Sequence, residues 1–137
     1  MNVSTLSASD LKQQLRECLA DDLFAVNDEI CQRLKTPSPF VSDVTQHVTR
    51  FQGKQIRPML LLLTSRMVAG RSDRKATMLA AAVEMIHLAT LVHDDVIDEA
   101  ETRRHVATVH RRWNTETTVL LGDYLFSKTF HLAASPG

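Results

Sequence analysis

Leu11, Leu15, Leu19, Leu23, Val26 and Ile30 recur every three or four residues, the spacing of one face of a helix. With Ser9 or Asp10 as N-cap, they predict an amphipathic helix from Leu11 to about Leu34. Lys35-Thr-Pro-Ser-Pro39 breaks the pattern. A short helix is expected over Ser42–Arg50. The turn around Gly53 then feeds a helix that begins near Pro58, where an early proline is tolerated. That helix, Met59–Ala69, is apolar nearly all round until Arg66, which predicts burial. Gly70 is its expected stop. Ser72 or Asp73 can cap the next helix, over roughly 73–98, in which Leu79, Val83, Ile86, Thr90 and Ile97 form one stripe. Residues 99–105 read as a polar loop. Helix is expected again over Val106–Trp113 and from about Glu116 to Ala134. The pattern is all-α, a single helical domain over 1–137 with five or six helices and short connections.

Composition supports this. The 137 residues include only 4 glycines and 4 prolines, with 5% aromatics, too little turn punctuation for a strand-rich chain. Sixteen basic residues balance 16 acidic ones. A zero balance gives no general pull toward nucleic acid or an anionic membrane, so phosphate chemistry must come from local clusters. The longest apolar run, Met59–Leu63, is too short for a bilayer, and no secretory signal is visible. Cys18 and Cys31 lack zinc-ligand spacing and read as reduced core thiols of a cytoplasmic protein.

The chemistry concentrates in His87-Leu-Ala-Thr-Leu-Val-His-Asp94-Asp95-Val-Ile-Asp98. Asp94 and Asp98 lie one helical turn apart, about 6 Å along the axis. They repel each other, and they sit at a helix C-terminus, where negative charge is unfavourable. Two broken rules at one place point to function, and a Mg²⁺ ion shared with substrate phosphates would resolve both. His87 and Leu91 extend the same stripe. Arg103 and Arg104 follow in the loop, and guanidinium forks suit phosphate. Lys54 and Arg57 form a second basic pair at the start of the apolar helix. The set suits a substrate with a diphosphate, or two substrates with one each.

Plainer readings stand beside these. The aspartates could be a solvated helix end, His87 a satisfied core histidine, and Lys54 and Arg57 a solvated helix start. Glu84 could orient a neighbour or face solvent. Arg111 and Arg112 read as surface charges. A metal-dependent phosphohydrolase built on His93-Asp94 is an alternative, although His47, His87, His105 and His110 lack the expected pattern.

Taken together, Gly53-Lys54-Gln-Ile-Arg57-Pro58, the stretch Glu84–Glu99, Thr102-Arg103-Arg104 and Val119–Lys128 resemble the trans-isoprenyl (polyprenyl) diphosphate synthase family, in its order and spacing. The resemblance implies an isoprenoid-synthase helical bundle and prenyl transfer. Asp94 and Asp98, with Asp95 beside them, would hold Mg²⁺ and the allylic diphosphate, and Arg103 would contact that diphosphate. Lys54, Arg57, His87 and Arg104 would hold isopentenyl diphosphate. Ala89 and Thr90, a turn before the first aspartate, would floor the channel for the growing chain. Their small size favours a medium or long product.

The sequence also departs from the family pattern. Gln52 stands in place of a first glycine, Gln55 in place of a basic residue, His105 in place of a glycine after the arginine pair, and Trp113-Asn114 in place of Gly-Asn. The family's catalytic chain is longer and carries a second aspartate-rich motif, whereas nothing after Asp98 reads as one. The expectation is therefore the first part of the fold, weak in turnover by itself. Apolar faces at Met59–Leu63 and Val119–Phe126 would be left for a homodimer or another synthase chain. A non-catalytic partner subunit is the alternative.

Overall fold

The computed structural model describes residues 7–135. Seven helices run in order: α1 (Ala8–Cys18), α2 (Ala20–Leu34), α3 (Pro39–Thr49), α4 (Ile56–Ala69), α5 (Arg74–Ile97), α6 (Val109–Arg112) and α7 (Thr115–Ala134). Between α5 and α6 lies a small antiparallel hairpin of β1 (Thr102–Arg103) and β2 (Val106–Ala107). The all-α expectation holds apart from these four residues.

The expected long first helix is instead two. Ser7, not Ser9 or Asp10, is the N-cap of α1, and Asp10 returns the bond to the Ser7 backbone in a capping box. The break comes at Leu19, whose side chain is fully buried. Periodicity runs straight through it, so the leucine spacing could not reveal it. The cause is tertiary. Arg66 of α4 donates to the Cys18 carbonyl at 3.3 Å and pairs with Asp22 at 2.7 Å, pinning both sides of the joint. Helix α2 then buries Leu23, Val26, Ile30 and Leu34, whereas α1 has no fully buried residue and leans on the core through Leu15. Cys18 and Cys31 are exposed, not core, because they point away from the buried face.

Helix α5 is the centre, packed by α7, α4 and α2. Its inward face is Met78, Ala81, Ala82, Met85, Leu88, Ala89 and Val92. The stripe singled out from the sequence lies on the other side, with Leu79, Ile86 and Ile97 exposed. Alanines crowd the true core face and allow close helix approach, so its signal is weaker than that of the larger outward residues. Val106 is not helical but begins β2, and only Val109–Arg112 form a turn of helix. Helix α4 is buried on one side only, through Pro58, Met59 and Leu62, while Leu60, Met67 and Val68 are exposed. Gly70 ends it in the left-handed region at φ 74°, as expected.

Asp73 caps α5 through the Ala76 N–H. By length and hydropathy alone α5 is the one described helix able to cross a bilayer, and 56% of that stretch is buried within this fold. Gly122 of α7 faces α5 so closely that a Cβ there would run into the His93 ring. His93 Nε2 lies 3.1 Å from the Val119 carbonyl and 3.6 Å from the Asp123 carboxylate, on the α7 side of the helix.

Candidate diphosphate site

A cavity of about 250 Å³ opens where the loop before α4 meets the middle of α5. Lys54 and Arg57 line one wall, Glu84 and His87 the other, and Arg104 reaches in from the hairpin. Phe51, Leu88 and Leu91 form the apolar foot. The four residues expected to share one diphosphate are therefore neighbours, though drawn from three separate segments. Gly53 has a steric role here, because the Arg104 guanidinium lies where its Cβ would be, with Cζ at 2.5 Å from that point. Gln55 turns inward at φ 52° and donates to Asn27 of α2 at 2.6 Å, fastening this loop to the core.

Electrostatics tie the same groups together. Burial lowers the His87 pKa, and Arg57, Arg103 and Arg104 lower it further against the opposing pull of Asp94. The neutral imidazole is thus favoured among the cations. Burial raises the Glu84 pKa, and Arg57 and Arg104 partly offset this. Glu84 is a buried carboxylate of the cavity wall rather than a solvent-facing one.

The three aspartates divide into two kinds. Asp94 is exposed on the last turn of α5, and Asp98 is the exposed C-cap residue. Neither joins an ion pair among the described residues. Asp95 is 1% exposed and grips Arg103, with Nη2 to Oδ1 at 2.7 Å and Nε to the two oxygens at 3.0 and 3.2 Å. Among the described residues no group of three or more His, Cys, Asp or Glu side chains gathers as a metal site.

The pair fixes the hairpin from below. At its tip, Arg104 and His105 have φ of 49° and 65°, the paired left-handed conformation of a two-residue type I′ turn. That geometry is why a glycine suits position 105, and His105 holds it only with strain. Thr108 closes the base, its Oγ1 donating to the Ala100 carbonyl at 2.7 Å.

Ala89 is fully buried in the core, while Thr90 is half-buried on the Asp94 side of α5, its hydroxyl donating to the His87 carbonyl. His93 is turned toward α7, so it does not form a metal pair with Asp94. Arg111 is exposed near Glu101, as expected of a surface charge. Arg112 is exposed as well, yet it also donates to His47 Nδ1 at 3.0 Å and lies over the Trp113 ring at 4.6 Å. His47 itself, read from sequence as unpatterned, is buried. Only the three-dimensional fold brings its partners to it.

These features meet in a helical scaffold with a cavity lined by Lys54, Arg57 and Arg104 near the carboxylates at the end of α5. The chain belongs to the polyprenyl synthetase family, which it matches over residues 38–136. It is 38% identical over 125 residues to an all-trans-nonaprenyl-diphosphate synthase of Rhodobacter capsulatus, covering 91% of this chain and 38% of that one. Against the octaprenyl diphosphate synthase of Escherichia coli (strain K12) the identity is 34%, with the same coverage of 91% and 38%. A solved decaprenyl diphosphate synthase from Rhodobacter capsulatus superposes with a TM-score of 0.80 at 41% identity, over 89% of this chain and 38% of that one. A polyprenyl synthase from Caulobacter crescentus CB15, solved with calcium and isoprenyl diphosphate, also gives 0.80 at 34% identity, over 88% and 37%. The chain spans 26% to 38% of the length of curated relatives of this kind.

Proposed function

We propose that this chain supplies the diphosphate-binding wall of a cytoplasmic prenyltransferase, one that condenses isopentenyl diphosphate with an allylic diphosphate into a medium- or long-chain polyprenyl diphosphate. The observation that carries this reading is the convergence of Lys54, Arg57, His87 and Arg104 on one cavity, one or two turns along α5 from Asp94. In the reaction the allylic C–O bond breaks with its electrons leaving on the diphosphate. The isopentenyl double bond attacks the allylic carbon, and a proton is lost.

Lys54, Arg57 and Arg104 hold the isopentenyl diphosphate by charge and by guanidinium forks. His87, whose neutral form is favoured by burial and the surrounding arginines, donates to the same group and gains a proton more readily beside that negative charge. Asp94 and Asp98 are oxygen donors one turn apart with no ion-pair partner among the described residues, the ligand chemistry that Mg²⁺ takes together with substrate phosphates. When bound there, Mg²⁺ supplies positive charge against the leaving diphosphate. Asp95 serves indirectly by holding Arg103 beside the allylic group. A second copy or another synthase chain fits the exposed apolar side chains of α4 and α7. The names of two relatives, heptaprenyl diphosphate synthase component 2 of Geobacillus stearothermophilus and of Bacillus subtilis, favour such an assembly.

Titration calorimetry of the 137-residue chain with isopentenyl diphosphate tests this. Binding is expected, and Arg57→Ala is expected to weaken it about tenfold, the size of one charge-assisted contact. Turnover with an added allylic diphosphate and Mg²⁺ should be weak for these residues by themselves. Absence of any diphosphate binding, or an Arg57→Ala variant that binds as tightly as the parent, sinks the reading.

A further inference from the structure

The basic groups of the cavity come from different segments, so something must set the distance between them. Lys54 and Arg57 follow α3, while Arg103 and Arg104 ride on the hairpin. His47, in the last turn of α3, joins the two. Its Nε2 lies 2.6 Å from the carbonyl of Ala107 in β2, and its Nδ1 lies 3.0 Å from Arg112 Nη1. Arg112 can only donate, so Nδ1 carries the lone pair and Nε2 the proton given to Ala107. The ring is 4% exposed and is held edge-on between Phe51 and Trp113, with centroids at 5.6 and 5.1 Å. Ala107 is the Cα partner of Thr102, the residue before Arg103.

We infer that His47 is a positioning residue for the diphosphate cavity: by bonding Ala107 it fixes the arginine-bearing hairpin at a set distance from the Lys54 loop. The claim rests on the diphosphate reading of that cavity. A histidine that merely filled the core would need neither a single tautomer nor a partner on the hairpin. Here one side of the ring answers α6 and the other answers β2, so a slack bond at Ala107 would let Arg104 drift from Lys54 and Arg57. A short charge-assisted contact is sensitive to such drift.

Three substitutions separate the two ring contacts from the packing. In His47→Gln the amide nitrogen reaches the Nε2 position and keeps the Ala107 bond. In His47→Asn the carbonyl oxygen takes the Nδ1 position and keeps only Arg112. His47→Phe fills the space and makes neither bond. The affinity of each chain for inorganic diphosphate is measured by calorimetry, with amide hydrogen exchange across residues 102–107 as a second readout. His47→Gln is expected within about twofold of the parent, and His47→Asn and His47→Phe about tenfold weaker, with faster exchange confined to the hairpin. Parent-like affinity and exchange in His47→Asn overturn the inference. So does a loss that is equal in all three variants and parallels a fall in melting temperature, which would assign the ring to packing alone. Should His47→Phe fail to fold, the Gln and Asn pair decides. If the parent binds no diphosphate, the functional reading fails, and hydrogen exchange alone then decides the role of His47.

Discussion

Adjacent side chains in this chain play opposite parts, and stability measurements separate them. Asp95 is buried against Arg103, and removing one partner of a buried pair strands the other. Asp95→Ala is therefore expected to lose about 3 kcal/mol in urea unfolding. Asp94 is exposed in the last turn of α5, where its charge opposes the helix dipole. Asp94→Asn should leave the fold intact or gain about 0.3–1 kcal/mol, while Mg²⁺-dependent binding of an allylic diphosphate falls. Equal stability losses in the two variants would contradict the division. His87 adds a pH dependence. Its pKa is lowered first by burial and then by Arg57, Arg103 and Arg104, so below the ordinary histidine value of about 6.5 the unfolded chain takes up a proton that the folded chain resists. Stability is thus lost as pH falls through that range. His87→Gln should flatten the loss between about pH 7 and pH 5, read as a shallower change in denaturation midpoint.

At the scale of elements, legibility followed the source of each element's stability. Helices α4, α5 and α7 appear in the sequence with near-correct ends because their caps are local: Gly70, Asp73 and Asn114 act on their own helices. The joint at Leu19 and the hairpin at 102–107 were illegible because distant residues make them. Arg66 pins the first, and Asp95 and His47 pin the second. Which face of α5 is core was also hidden, since alanine carries little hydrophobic signal. The candidate site was more legible than the fold around it, because Lys54, Arg57, His87 and Arg104 declared their chemistry by type. Glu84 and Gly53 were less so, one for want of visible partners and the other because its role is an absent side chain. Gly122 is similar. Gly122→Ala should gain helix propensity of about 1 kcal/mol yet lose more, since the new methyl displaces His93 and overpacking costs about 1–3 kcal/mol. A double-mutant cycle with His93→Ala checks this, and additive effects would refute the clash.

Across the whole molecule, α5 is both the centre of the core and the carrier of the site, so substitutions along it report on different things. Ala89 is enclosed by packing, and a larger residue there would disturb the fold first. Thr90 stands on the Asp94 side and is the better test of a chain-length floor. In an assembly that turns over, Thr90→Phe is expected to shorten the polyprenyl products, read by chromatography of the dephosphorylated alcohols. An unchanged product distribution would remove position 90 from that role. The exposed Leu60 of α4 and Leu120 of α7 mark faces that a partner would cover, and Asp substitutions there should abolish any self-association seen by sedimentation.

The joint at Leu19 has a consequence for motion. Helix α1 has no fully buried residue and packs on the core through the partly buried Leu15, and local opening is drawn from such lightly packed elements. One of its few ties to the rest of the chain runs from Arg16 to the Lys54 carbonyl at 3.4 Å, in the loop that lines the cavity. Opening of α1 would therefore also release a contact to the loop that lines the cavity. A protease that nicks α1 would leave the core standing while freeing the backbone on which Lys54 sits.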